Sequence, residues 1–457
     1  MVDHTHQADI GPGRARRLRA AGLVCAAAVA LSACADSLPS LPKLNDLNPF
    51  AEKQQPLPGK RVPIMSEGNR VGGELASADR PILIPTLAAN ESWSQPGGTA
   101  TNAPGHLALS GTVRSTWTGD AGTGSGKYGK VSASPIVFDG RVYTLDATGR
   151  VTAFSISGGG VAWRVSLAPE GENNPSKGYG GGLAVDGGRL YAATGFGTIV
   201  ALDPRSGKKL WERAIGVPFR ASPTAAGDRV YAVSIEGEVY SLSGADGAEN
   251  WTYRGIPEKA SIISNASPAV DGDLVIVPFS SGEVVALRVS TGQVAWADSL
   301  ARSRSASSLA AMSDAARPVV DSGQVFAIGH GGRMIAVNAR TGERLWSLSI
   351  PGIQQPWVAG DSVFVVDTEG QLIAVARREG KVQWTTKLPG DAKWSGPVLA
   401  GNRLWLTSSK GALASVEPTT GKLAGTQDIG GAAFIAPVVA SGRMFVLTDA
   451  ARLVAFN

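Results

Sequence analysis

An all-β, eight-bladed β-propeller of four-stranded antiparallel blades, closed by an N-terminal strand, is the fold that the sequence predicts. Three observations predict it. A segment recurs eight times from about residue 106 onward. Within each copy, apolar residues alternate with polar ones at the period of a strand. A tryptophan recurs at one place in most copies.

One copy shows the pattern. Ser222-Pro223 leads to a turn at Gly227-Asp228, a strand around Val230 to Val233, and a turn at Gly237. A strand around Val239 to Leu242 follows, then a turn at Asp246-Gly247, then a strand carrying Trp251. The same order follows Pro135, Pro268, Pro318, Pro356, Pro397 and Pro437, and a copy without the proline begins near Gly182-Leu183. Each copy is therefore four short strands joined by three tight turns, for which glycine supplies positive φ. The 58 glycines have no collagen-like period, so they fit many such turns.

The tryptophans belong to the architecture. Trp163, Trp211, Trp251, Trp296, Trp346 and Trp384 each follow a Gly turn by a few residues. A lone four-stranded sheet buries neither face, but sheets stacked radially do, and an indole fills the gap between blades. Closure follows from the ends. The copy from Pro437 to Asn457 has only three strands, while a surplus strand, Val113 to Trp117, precedes the first copy. Pairing the two completes eight blades and removes the exposed edges. The seventh copy has Leu423-Ala424-Gly425 and no Trp, which predicts one weaker junction.

The N-terminus predicts export. Arg14, Arg16, Arg17 and Arg19 precede an apolar run from Ala20 to Ala30. That run is shorter than the roughly 20 residues needed to span a bilayer, so it fits a secretory signal, residues 1–33. Leu31-Ser32-Ala33-Cys34 resembles a bacterial lipobox, which makes Cys34 the expected lipid attachment residue. Ala35 rather than Asp follows it, and this favours the outer membrane, at its periplasmic face. A proline-punctuated polar stretch, residues 34–105, fits a lipid-anchored tether, and residues 106–457 form the propeller.

Composition narrows the chemistry. The two cysteines are Cys25 and Cys34, so the part after Cys34 has no thiol for a disulfide or a Cys-based metal site. The segment before Cys34 carries four Arg and two Asp, which leaves +3 of the formal +5, too weak a balance to point to nucleic acid. His106 and His330 are too far apart in sequence to indicate a metal cluster. Asp367, Asp314 and Glu236 are isolated candidates for a catalytic base. Asp367 and Glu369 could supply two oxygens to a hard cation, but Asp146, Ser234 and Ser280 hold the same place in other copies, which makes it a turn position. Gly178 to Gly182 lacks the Lys-Ser/Thr of a phosphate loop and fits a flexible crossing between copies.

The recurrent Ala-Leu, Thr-Gly and Trp pattern over residues 106–457 resembles the pyrroloquinoline-quinone (PQQ) type propeller repeat. Two classes share it. Quinoprotein dehydrogenases hold a quinone over Ca²⁺ in the funnel, many with a disulfide between adjacent cysteines, and this chain has no such pair. The other class is the BamB family of the β-barrel assembly machinery, and lipobox, tether, eight repeats and closing strand resemble it together. The resemblance implies a scaffold, monomeric within a hetero-complex, with no catalytic residue, cofactor or metal. Its implied partner is a BamA-type outer-membrane barrel protein, bound through its periplasmic POTRA domains.

Two neighbouring connections between copies are long, from Trp251 to Pro268 and from Trp296 to Pro318, and insertions in repeat proteins gather on a binding face. The first holds Ile262 and Ile263; the second holds Arg302, Arg304 and Asp314. The family resemblance makes Ile262, Ile263, Arg304 and Asp314 the expected partner-binding residues. An alternative occupant of the surface is glycan or peptidoglycan, for which Trp357, Trp394 and Trp405, outside the regular blade position, could form an exposed platform.

Overall fold

The first blade shows how these residues make a sheet. Its strands are Ile136–Phe138, Arg141–Leu145, Arg150–Ser155 and Val161–Ser166, hydrogen-bonded in sequence order. The short first strands of neighbouring blades approach one another, so they line the axis of the ring. The last strand is outermost and alternates between exposed and half-buried. The two middle strands depart from the expected alternation: Val142 to Leu145 and Val151 to Phe154 are buried throughout. Their sheet is covered on both faces by the blades beside it, so both sets of side chains leave water.

A computed structural model describes residues 81–110, 113–127, 129–256, 266–301 and 314–457, which fall within the unit Met65–Asn457. It holds eight four-stranded antiparallel sheets arranged as an eight-bladed propeller. The blades cover residues 136–166, 181–214, 224–254, 269–299, 319–348, 357–387 and 394–428, and the eighth combines 438–456 with 115–120. That last blade closes as the sequence predicts. Ser115–Asp120 pairs antiparallel with Arg452–Phe456, with Trp117 opposite Ala455 and Asp120 opposite Arg452.

Tryptophan stitches blade to blade. Trp163, Trp211, Trp251, Trp296, Trp346 and Trp384 each donate their indole N–H to a carbonyl in the last turn of the following blade. The acceptors are Pro204, Gly244, Val289, Ala339, Arg377 and Pro418, at 2.8–3.0 Å. Trp117 does the same from the eighth blade to Ile156 of the first. A glycine in the accepting turn lies under each indole. Gly342 combines φ +71° with a space in which a Cβ would sit 2.6 Å from Trp296, so both backbone and packing demand glycine there. The Gly-rich crossing is similarly constrained: a Cβ on Gly182 would lie 2.0 Å from Ser222 Oγ of the next blade.

The boundary of the expected tether needs correction. Its first part lies outside the described residues, but residues 81–105 do not hang free. They run across one mouth of the ring, and from Asn90 to Leu107 the chain meets every blade in order. Asn90 accepts from Ser441 N of blade eight at 2.7 Å, and Trp93 exchanges two backbone bonds with Val137 of blade one. Ser94 O accepts from Val185 N in blade two, Ala100 O from Val270 N in blade four, and Thr101 O from Val320 N in blade five. The Gln95 side chain bridges blades two and three, donating to Val185 O (2.8 Å) and Ala225 O (2.7 Å) and accepting from Ala225 N (3.0 Å). Gly105 O accepts from Trp357 Nε1 of blade six, and Leu107 pairs with Leu399 and Gly401 of blade seven. The innermost strands would otherwise present unpaired backbone groups to the axis. A segment that meets a new blade every few residues has no periodicity, which is why its sequence resembles a linker.

This plug lies on the mouth that carries the first turn of each blade. The Leu83 carbonyl packs on Gly360, and His106 is held between Pro85 O (2.7 Å, at Nδ1) and Asn402 N (3.1 Å, at Nε2). The blade-to-blade connections therefore emerge at the opposite mouth, because each delivers the chain to the start of a first strand.

Candidate functional site

The connection mouth carries the features that distinguish one part of the ring from another. The two long connections leave and re-enter it at blades three to five. Ile262, Ile263 and Arg304 lie outside the described residues, as does Cys34. Asp314 is described and is buried, at 2% exposure. Its carbonyl accepts from His330 N at 3.0 Å, and Ala315 beside it bridges to Gly329. Asp314 thus marks where the second connection enters the ring and braces that end, rather than standing on a solvent-facing surface.

Sequence reading missed the apolar residues at the root of the first connection. Ile256 is 57% exposed, and Ile235, in the middle turn of blade three, is 43% exposed. The two turns are joined, since Gly255 N donates to Gly237 O at 2.9 Å and Ile235 N is held by Pro218 O. Charge flanks them: Arg254 lies 3.5 Å from Glu236 and 3.9 Å from Glu238. Such exposed pairs add little stability and leave their charges available to a partner. Glu238 also accepts from Tyr240 OH at 2.6 Å; burial and then this carboxylate push the phenol's pKa well above its usual value. The signal in the sequence was available. Isoleucine in a turn position, where the other copies have Ala147, Gly195, Ser280, His330, Thr368, Ser409 and Asp449, exposes a branched apolar side chain.

The aromatic platform is corrected. Trp357, Trp394 and Trp405 are 2%, 5% and 6% exposed, so they cannot present a stacking surface. Trp357 stacks on Trp93 of the plug at 6.3 Å, and Trp405 donates to Ala400 O at 3.0 Å. Asp367 serves its own turn, accepting from Glu369 N and Gln371 N at 2.9 and 2.8 Å, as Asp146 does from Thr148 N and Arg150 N. Burial raises the pKa of Asp367 above the usual carboxylate value. Among the described residues no three His, Cys, Asp or Glu side chains converge to hold a metal ion. No helix among them is long and apolar enough to cross a membrane.

Tryptophans handed from one blade to the glycine turn of the next place the ring in the class of PQQ-like repeat propellers. Within that class, the family described as outer membrane protein assembly factor BamB matches residues 147–386 and 387–457, and the chain belongs to that family. An uncharacterized protein of Rickettsia prowazekii is 29% identical over 168 residues, 36% of this chain and 40% of that one. The outer membrane protein assembly factor BamB of Burkholderia pseudomallei is 26% identical over 185 residues, 40% of this chain and 45% of the relative. The chain thus spans about two fifths of the length of the first curated relatives it matches. Among solved structures, BamB from Moraxella catarrhalis superposes with a TM-score of 0.66 at 18% identity, covering 76% of this chain and 100% of that one. The quinohemoprotein alcohol dehydrogenase of Comamonas testosteroni superposes equally well, TM-score 0.66 at 13% identity over 81% of each chain. At such identities the likeness speaks for the fold alone, which hosts both a named assembly factor and a named enzyme.

Proposed function

We propose that the chain is a non-catalytic scaffold lipoprotein of the outer-membrane β-barrel assembly machinery. It is anchored through Cys34 at the periplasmic face of the outer membrane. It binds the POTRA domains of a BamA-type barrel protein and assists insertion of outer-membrane proteins. The observation that carries the reading is the mixed patch at the connection mouth. Ile235 and Ile256 stand exposed beside Arg254, Glu236 and Glu238, at the root of the connection that holds Ile262 and Ile263. Family membership supplies the context in which such a patch meets an assembly partner.

The mechanism is presentation. A closed ring with few free edges holds the described ends of the two connections, Ile256 and Ala266, Ala301 and Asp314, on neighbouring blades, which suits two loops that act as one surface. The apolar residues supply buried area and the surrounding charges set orientation. Arg304 adds a cation to the second loop, and Asp314 braces that loop's return. A lipid on Cys34 confines the scaffold to the membrane surface and raises its effective concentration near an embedded partner.

A mild-detergent pull-down of the tagged, lipidated protein with mass spectrometry tests this. Recovery of an outer-membrane barrel bearing POTRA domains is the expected result. Recovery of a glycan or a quinone without that barrel would contradict it.

A further inference from the structure

A further long connection, between Ser166 of blade one and Gly181 of blade two, forms one wall of an open groove of about 640 Å³ on the connection mouth. The middle turn of blade two adds Gly195 and Phe196, and the connection into blade three adds Pro218 and Arg220. The Gly-rich crossing packs tightly onto both neighbours. A Cβ on Gly180, at φ +91°, would lie 2.7 Å from Arg220 Cδ, and a Cβ on Gly195 would lie 2.2 Å from Tyr179 O. Glycine at these places lets the three segments close together, which fixes the shape of the groove.

Arg220 is held in this groove but not neutralised. Phe219 before it is fully buried, meets Tyr240 edge-on at 6.1 Å and donates its N–H to Thr194 O at 3.1 Å. The Arg220 guanidinium lies 3.9 Å from the centre of the Tyr179 ring, and its Nη1 donates to Tyr179 O (2.9 Å) and Phe219 O (3.4 Å). An aromatic face and two carbonyls orient the charge without cancelling it. Its Nε and Nη2 have no hydrogen-bond partner among the described residues, and no carboxylate there lies within ion-pair distance. That edge of a guanidinium matches a carboxylate in two parallel hydrogen bonds.

Lysines extend the positive field. Lys177 is exposed on the crossing, and Lys127 is exposed on the connection into blade one. The carboxylate in the lining, Glu172, is engaged by Lys177 Nζ at 2.9 Å and Asn174 N at 2.8 Å. Half-buried Pro169, Phe196 and Pro218 add apolar lining. A single small anion calls for donors that converge on one point. Cations spread over three successive connections, with apolar surface beside them, suit an extended segment that carries several carboxylates.

We propose that this groove docks an extended acidic segment of a polypeptide, one of its carboxylates seated on the Nε–Nη2 edge of Arg220. The groove adjoins the partner patch, since Pro218 O accepts from Ile235 N, but the proposal does not depend on the scaffold reading.

Fluorescence anisotropy on the full chain tests it with a labelled octapeptide of alternating glutamate and alanine and with its glutamine counterpart. The acidic peptide should bind at least tenfold more tightly, and its affinity should fall as salt rises. Arg220→Gln should weaken it at least fivefold and Lys177→Glu at least threefold, while Ile256→Ser should leave it within twofold. Lys177 is an exposed side chain, so Lys177→Glu decides even if Arg220→Gln does not fold. Equal binding of the two peptides, no loss in a folded groove variant, or displacement of the acidic peptide by inorganic phosphate at equal concentration would overturn the proposal. A loss with Ile256→Ser as large as that with Arg220→Gln would overturn it too, by moving the peptide to the partner patch.

Discussion

Trp117 donates its indole N–H to the Ile156 carbonyl at 3.3 Å, across the seam where the closing blade meets the first. Its ring also packs on Phe445 of its own blade and Phe154 of the next, at 5.9 and 6.4 Å. Arg443 of blade eight donates to the same carbonyl at 2.9 Å, so Trp117 supplies the aromatic part of this joint, which Trp117→Ala removes. Truncating a buried aromatic costs 3–5 kcal/mol, and Trp117 is only half-buried, so about 3 kcal/mol is expected. Urea denaturation measures the loss, and limited proteolysis should show cleavage beginning at the seam.

Gly425 occupies the register that tryptophan holds elsewhere: it faces Ser415 as Trp384 faces Ala374 one blade earlier. The reason lies in the neighbour. The third and fourth strands of blade eight, Arg452–Phe456 and Ser115–Asp120, are not consecutive, so no glycine turn joins them to receive an indole. Gly425→Trp should therefore change stability by less than about 0.5 kcal/mol, the range of surface changes that form no new contact. Gly342→Ala should cost about 1–3 kcal/mol, because it adds a methyl against Trp296 at a positive φ. A thermal-denaturation comparison of the two variants separates an absent joint from an occupied one.

Gln95 bonds three backbone groups of two blades. Gln95→Leu leaves the Val185 and Ala225 carbonyls and the Ala225 N–H without this partner, and each buried unsatisfied group costs about 1–3 kcal/mol. A loss of at least about 2 kcal/mol is expected, with residues 81–110 becoming sensitive to protease before the blades do. Cleavage there at the wild-type rate would show that the plug does not depend on this bridge.

Alkaline pH should destabilise the ring. Burial raises the Tyr143 and Tyr231 pKa values to about 12 from an ordinary 10. In the unfolded chain these phenols lose their protons near pH 10, while the folded ring keeps them. The unfolded state then binds fewer protons, so stability is intact below pH 10 and falls between pH 10 and 12. Urea midpoints measured from pH 8 to 12 check this, and Tyr231→Phe should flatten part of the decline.

The repeat was legible because each copy restates the same physics. Gly turns, alternating strands and a tryptophan fixed blade number, strand order and the pairing of Trp117 with the last blade. The plug was not legible. Gln95 looks like a linker residue, and its role exists only where the inner strands of blades two and three converge on it. The partner patch was legible in part. Loop length pointed to the connections of blades three to five, but the burial of Asp314 and the exposure of Ile235 and Ile256 depend on how each turn packs on its neighbour. Trp357, Trp394 and Trp405 broke the blade pattern in sequence because they pack near the axis and against the plug, not between the outer strands.

Placing a photo-crosslinking residue at position 262, and separately at position 361 in a first turn on the plug side, tests the scaffold reading most directly. With purified POTRA domains of a BamA-type barrel protein, position 262 should crosslink and position 361 should not, and the further change Ile256→Glu should reduce the yield at 262 at least fivefold. Crosslinking at 361 alone, or at neither position while the ring stays folded, would contradict the claim that the connection mouth is the face this scaffold presents.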